Sequence, residues 1–157
     1  MFNWSRIDNL DRLFIVWAFL VQVILIIHYA IRKPLMESYT EKFGWIVYAL
    51  CIPAAVISII LLRGGKSWIF WLGGFLFVLF AAFGFWVDYV KQIPFRNPLN
   101  WSIVFPYVTL YLATIMFYWW PVGLLNRPLW YLYAVLFIII SSLLTKEKER
   151  SILGCRR

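Results

Sequence analysis

The side chains able to do chemistry in this sequence are few, and most lie inside apolar runs. Asp88 follows Trp86 and Val87 at the end of one such run, where a carboxylate is costly unless it is paired or near water. Lys91, three residues on, falls on the same helical face and is the expected partner, with Arg96 close in sequence. On one reading Asp88 is an interfacial acid that marks a helix end. On the other it faces a cavity, where it holds a cation or relays protons. Gln22 sits in the middle of another run, and its amide is expected to hydrogen-bond to a neighbouring helix, because an unpartnered amide in hydrocarbon costs several kcal/mol.

A third feature is a pattern. Tyr107, Tyr111, Thr114 and Tyr118 fall at i, i+4, i+7 and i+11, which places them on one face of a helix. Pro106, one residue before, removes a backbone donor and is expected to bend that helix and free a carbonyl. Such a face serves either to pack helices and donate hydroxyls across them or to wall a cavity for a flat lipophilic or cationic ligand. Asp88, Gln22, Tyr107, Tyr111, Thr114 and Tyr118 are therefore the candidate ligand-binding residues.

Other chemistries find no support. His28 is the only histidine, and a lone imidazole gives neither bis-histidine haem ligation nor a zinc site. Cys51 falls inside an apolar run and Cys155 in the tail, so no disulfide is expected. Arg63-Gly64-Gly65-Lys66-Ser67 resembles the end of a phosphate-binding loop, but Ile60 stands where its first glycine belongs. A tight turn is the expected structure there. No metalloprotease helix, Cys-x-x-Cys pair, serine elbow or paired carboxylates occur. No catalytic residue, metal ligand or cofactor is assigned, and an enzyme is not the leading class.

The elements that carry these residues follow from composition. Of 157 residues, 64% are hydrophobic, 14% are charged and 21% are aromatic, far from the balance of a soluble domain. The apolar excess is concentrated in Leu13–Ile31, Gly44–Leu62, Trp68–Val87, Trp101–Trp120 and Leu129–Leu144. With no water in lipid to satisfy the backbone, each run is expected to be helical, and none shows the alternation of a membrane β-strand. The expected fold is an all-α polytopic membrane bundle of five helices in a single domain spanning 1–157, with a short basic tail at 145–157. Four spans are the alternative, because the last run covers only about 24 Å.

Within that bundle, Gly73, Gly74, Ala81, Ala82 and Gly84 mark the third helix as the one neighbours approach closely. Pro53 predicts a kink in the second. Asn3 or Ser5 is expected to cap a short interfacial helix before the first span. That first span lacks a small-residue cleavage site and is expected to stay in the mature protein.

The net charge is +8, yet the basic residues lie between the apolar runs and form no stripe that would indicate nucleic acid. With five spans, five lysines and arginines fall on one side and ten on the other. The positive-inside rule then places the N-terminus outside and the C-terminus in the cytoplasm. In size, span number and tryptophan content the chain is similar to the tryptophan-rich sensory (translocator) protein family. It lacks a Trp-x-Pro-Pro motif and its first loop, Arg32–Phe43, is short, so no residue role is carried over. The expected function is binding of a lipophilic ligand or a membrane partner through aromatic-rich helices. The alternatives are a small transporter or channel using Asp88 and the Tyr107–Tyr118 face, and an accessory subunit of a larger membrane complex. Membrane lipid, a second copy of the chain and other membrane subunits are the expected partners.

Overall fold

The computed structural model describes residues 7–32, 44–92 and 100–154, with side chains through 143 apart from Tyr29 and Arg32. Asn3, Ser5, Lys33-Pro34, Ile93-Pro94, Arg96, Asn97-Pro98 and Cys155 lie outside the described residues, as do the side chains of the tail Lys146–Arg150. The described part is 90% helical and contains no strand, so the all-α bundle expected from the apolar runs is the architecture. Its helices are α1 (Asn9–Arg32), α2 (Trp45–Ala49), α3 (Cys51–Arg63), α4 (Trp68–Phe85), a π-helical turn (Trp86–Val90), α5 (Trp101–Leu125) and α6 (Arg127–Gly154). Four segments are long and apolar enough to cross a membrane: Asn9–His28, Trp45–Arg63, Trp68–Val90 and Trp101–Leu125. The fifth apolar stretch, Arg127–Leu143, is shorter and belongs to a helix that continues to Gly154.

The breaks have local causes. Pro53 has no N–H for the carbonyl of Ala49, four residues earlier, and its ring crowds that carbonyl. The second span accordingly breaks at Leu50, the residue between α2 and α3, and resumes through a bond from Ala54 N–H to Leu50 O of 3.1 Å. The glycine turn closes α3. Lys66 N–H reaches Leu61 O and Gly65 N–H reaches Leu62 O, both at 3.1 Å, which is the Schellman arrangement. Gly65 has φ +71°, a backbone conformation that carries a steric penalty with a side chain. Asn126 both ends α5 and starts α6, its side-chain oxygen accepting from Leu129 N–H at 3.1 Å. Pro106 and Pro121 both lie within α5, which runs unbroken from Trp101 to Leu125.

Contacts at the two ends establish an up-and-down order. Tyr48 at the start of the second span meets Asp88 at the end of the third, and Tyr107, early in α5, flanks Gly84 of α4. At the opposite end Trp119 stacks on Trp130, centroids 5.0 Å apart. There, too, Lys66 of the glycine turn binds Asp11 at 2.7 Å and Asp8 at 3.2 Å, at the start of α1. The third span is the centre, as its small residues predict. A side chain at Gly74 would meet Ser58 Oγ and, at 2.9 Å, the carbonyl of Ala54 on α3. A Cβ at Gly73 would meet Phe117 O on α5 at 3.1 Å. That carbonyl has no intrahelical donor because the residue four places on is Pro121, so the glycine lies against a carbonyl left free by a proline.

The Lys66 cluster makes a pH-dependent contribution. Hydrogen bonding to Asp11 raises the Lys66 ammonium above the ordinary lysine value, and hydrogen bonding from Lys66 holds Asp8 below the ordinary carboxylate value. The lysine contribution is complete below the unfolded lysine value and is lost as pH rises through the folded one. The Asp8 contribution is complete above the unfolded carboxylate value and is lost as pH falls through the folded one. Lys66→Gln is therefore expected to cost about 1 kcal/mol at neutral pH, mainly through the partly shielded Asp11 pair. Thermal unfolding of both proteins in detergent should show the difference shrinking at strongly acid and at strongly alkaline pH. A difference that grew at either extreme would assign the stabilisation elsewhere.

Candidate functional site

The sequence-predicted residues lie on α1, the π-helical turn and α5 of an apolar bundle. Its outer end is built on the π-helical turn, in which Lys91 N–H bonds to Trp86 O, five residues back, at 2.9 Å. Insertions of this kind recur at functional sites because they re-aim one side chain without ending the helix. Here the side chain is Asp88. Its Oδ2 accepts a short hydrogen bond from the Tyr48 hydroxyl, and Tyr107 stands beside that same hydroxyl. Gly84 makes the approach possible, since a Cβ there would meet Tyr48 Cε1 at 2.6 Å and Tyr107 Cε2 at 3.2 Å.

The expected Asp88–Lys91 pair does not form. The Lys91 ammonium lies over the Trp86 ring, 5.8 Å from its centroid, because the π turn changes the angular step on which i, i+3 pairing depends. Among the described residues Asp88 has a hydrogen-bond donor but no paired cation. The Tyr48 that holds it packs among other rings. Tyr48 is edge-on to Phe85 at 6.2 Å and to Tyr89 at 5.9 Å, and Phe85 stacks on Tyr89 at 5.2 Å. Tyr48 and Phe85 also line an outward-opening apolar groove of about 300 Å³ together with Trp45, Cys51, Val78 and Ala81.

Deeper in the bundle the tyrosine face divides. Phe80 of α4 packs against Tyr107 and Tyr111, centroids 5.1 and 5.7 Å away, so this part of the face is a helix–helix contact. Thr114 donates its hydroxyl to Leu110 O at 2.8 Å within its own helix. Tyr118 accepts from Trp17 Nε1 at 3.0 Å, a buried bond between α5 and α1. Gln22 is fully buried, but the expected bond to another helix is absent: both its amide oxygen and its amide nitrogen are without a partner. The structure thus brings Asp88 and Tyr107 together through Tyr48, and occupies Thr114 and Tyr118 with partners of their own.

Sequence reasoning missed Tyr48, Trp17 and Tyr133. Each lies in a different span from its partner, and no short-range spacing connects them. Tyr133 of α6 is fully buried, lies edge-on to Phe19 at 5.6 Å and sits near Tyr118 and Tyr111. A second groove, of about 320 Å³, opens at the opposite end and is lined by Arg127 together with Trp120 and Trp130. Among the described residues no group of three or more metal-ligating side chains is present. Comparison with protein-family models, curated proteins and solved structures returns no match, and the site is read from its own residues.

Proposed function

We propose that this multi-span membrane protein binds a lipophilic cation, a molecule with a protonated or quaternary amine on an apolar body, at the end of the bundle occupied by Asp88. The observation that carries this reading is the Asp88 carboxylate, held by the Tyr48 hydroxyl and paired with no cation among the described residues. A negative charge at the end of a membrane span is costly without a counter-charge or water, and a ligand cation supplies the counter-charge. The rings of Tyr48, Phe85 and Tyr89 add favourable π faces for that cation, and the adjoining apolar groove takes the body. By the positive-inside rule this end is expected to face the cytoplasm.

The test is saturable binding of tetraphenylphosphonium to the protein in lipid nanodiscs. Triphenylmethane, which offers a similar body without charge, is expected not to compete. Asp88→Asn is expected to weaken binding at least tenfold, about 1.4 kcal/mol, while Asp88→Glu retains most of it. Equal affinity for the wild type and Asp88→Asn would sink the reading. A transport reading is favoured by the buried polar atoms that continue inward past Tyr107. It requires flux of the same cation across liposomes, which a simple binder does not produce.

A further inference from the structure

We propose that Gln22, Tyr111 and Tyr133 form an enclosed site at bilayer mid-depth for a neutral hydrogen-bonding guest, either water or the hydroxyl group of a lipophilic molecule. Four buried polar atoms carry the inference: Gln22 Nε2 and Oε1 and the hydroxyls of Tyr111 and Tyr133 all lack a hydrogen-bond partner. Gln22 and Tyr133 are both 0% exposed, so bulk water does not reach them. Lipid tails offer no donors or acceptors. One such orphan is a local imperfection, whereas several on three helices define a receptor.

Register brings the three together. The Trp17–Tyr118 bond fixes α1 against the antiparallel α5. Gln22 lies five residues beyond Trp17, and Tyr111 lies seven residues before Tyr118. At about 1.5 Å per residue these steps, roughly 8 and 10 Å in the same direction, put the two side chains at nearly one depth. Tyr133 reaches the same region from α6, where it adjoins Phe19 of α1 and lies near Tyr111.

The chemistry of the guest follows from the donors present. Gln22 offers two N–H donors and a carbonyl, and each phenol both donates and accepts. None of the three carries charge at neutral pH, so an ammonium or carboxylate would find no counter-charge here. A water or an alcohol hydroxyl, which donates and accepts at once, matches the set. Internal waters commonly make about three such bonds to groups the protein leaves unpaired.

The chain contains two glutamines, Gln22 and the exposed Gln92, so glutamine labelled with nitrogen-15 on its side chain reports on the site and on an internal control. In nanodiscs, the Gln22 amide is expected to show cross-relaxation to water while exchanging its protons at least tenfold more slowly than Gln92. Titration with 1-octanol, with octane as control, tests the second source. Displacement of the water signal by octanol, lost in Tyr111→Phe/Tyr133→Phe, identifies an organic hydroxyl as the guest. A water signal that octanol does not alter identifies water. A Gln22 amide in the wild type that responds to neither probe overturns the proposal. Asp88→Asn is expected to leave every one of these signals in place, which separates this site from the cation site.

Discussion

Gly74→Ala is expected to destabilise the bundle by about 2 kcal/mol, although alanine is the better helix former by up to about 1 kcal/mol. The added methyl would occupy the place of Ser58 Oγ and approach the Ala54 carbonyl to 2.9 Å. The hydroxyl can rotate away, but the carbonyl belongs to the backbone of α3 and moves only if the two helices separate. Overpacking of this kind costs about 1–3 kcal/mol and outweighs the gain in helix propensity. In membranes the effect is sharpened, because close packing between small residues is a main source of helix association. Thermal unfolding in detergent measures it, and Ser58→Ala in the same chain is expected to recover part of the loss. A single variant within 0.5 kcal/mol of wild type would mean that α3 and α4 are farther apart than described.

Phe80→Ala is expected to cost about 3 kcal/mol, toward the lower end for a buried phenylalanine. Phe80 is 2% exposed and touches Phe77, Tyr107 and Tyr111. In a soluble protein much of the penalty is transfer of the ring to water. Here the unfolded reference still lies in lipid, which leaves the lost packing and the cavity as the main contributions. The cavity would open beneath Tyr107, next to Tyr48 and Asp88, so tetraphenylphosphonium affinity is expected to fall along with stability. Unfolding and binding measured on one preparation check both. Loss of stability with unchanged affinity would detach the packing of the tyrosine face from the proposed cation site.

The class of fold was legible in the sequence because lipid leaves the backbone few options, and five charge-poor runs read as helices with little competition. The break at Leu50 was legible too, since Pro53 acts on a carbonyl four residues away. The tyrosine face was found by its period, and Asp88 by its cost. The partners of these residues were not legible. Lys91 has the spacing and the charge to pair with Asp88, but a local change of helical pitch overrides that rule. Tyr48, forty residues earlier in sequence, has no pattern that connects it to Asp88. Gln22 shows the same limit: its type and depth state that it needs a partner, while the partner depends on how three helices settle against one another.

The π-helical turn also bears on how the protein varies. A turn of this kind holds one residue more than the α-helical turn it replaces, so losing a single codon within Trp86–Val90 would restore ordinary pitch. Helix α4, which precedes the turn, would keep its packing. The carboxylate would swing away from Tyr48, along with the neighbouring side chains of the turn. The Asp88 carboxylate is thus separable from the scaffold by one genetic event, so that chains sharing the bundle need not share this charge.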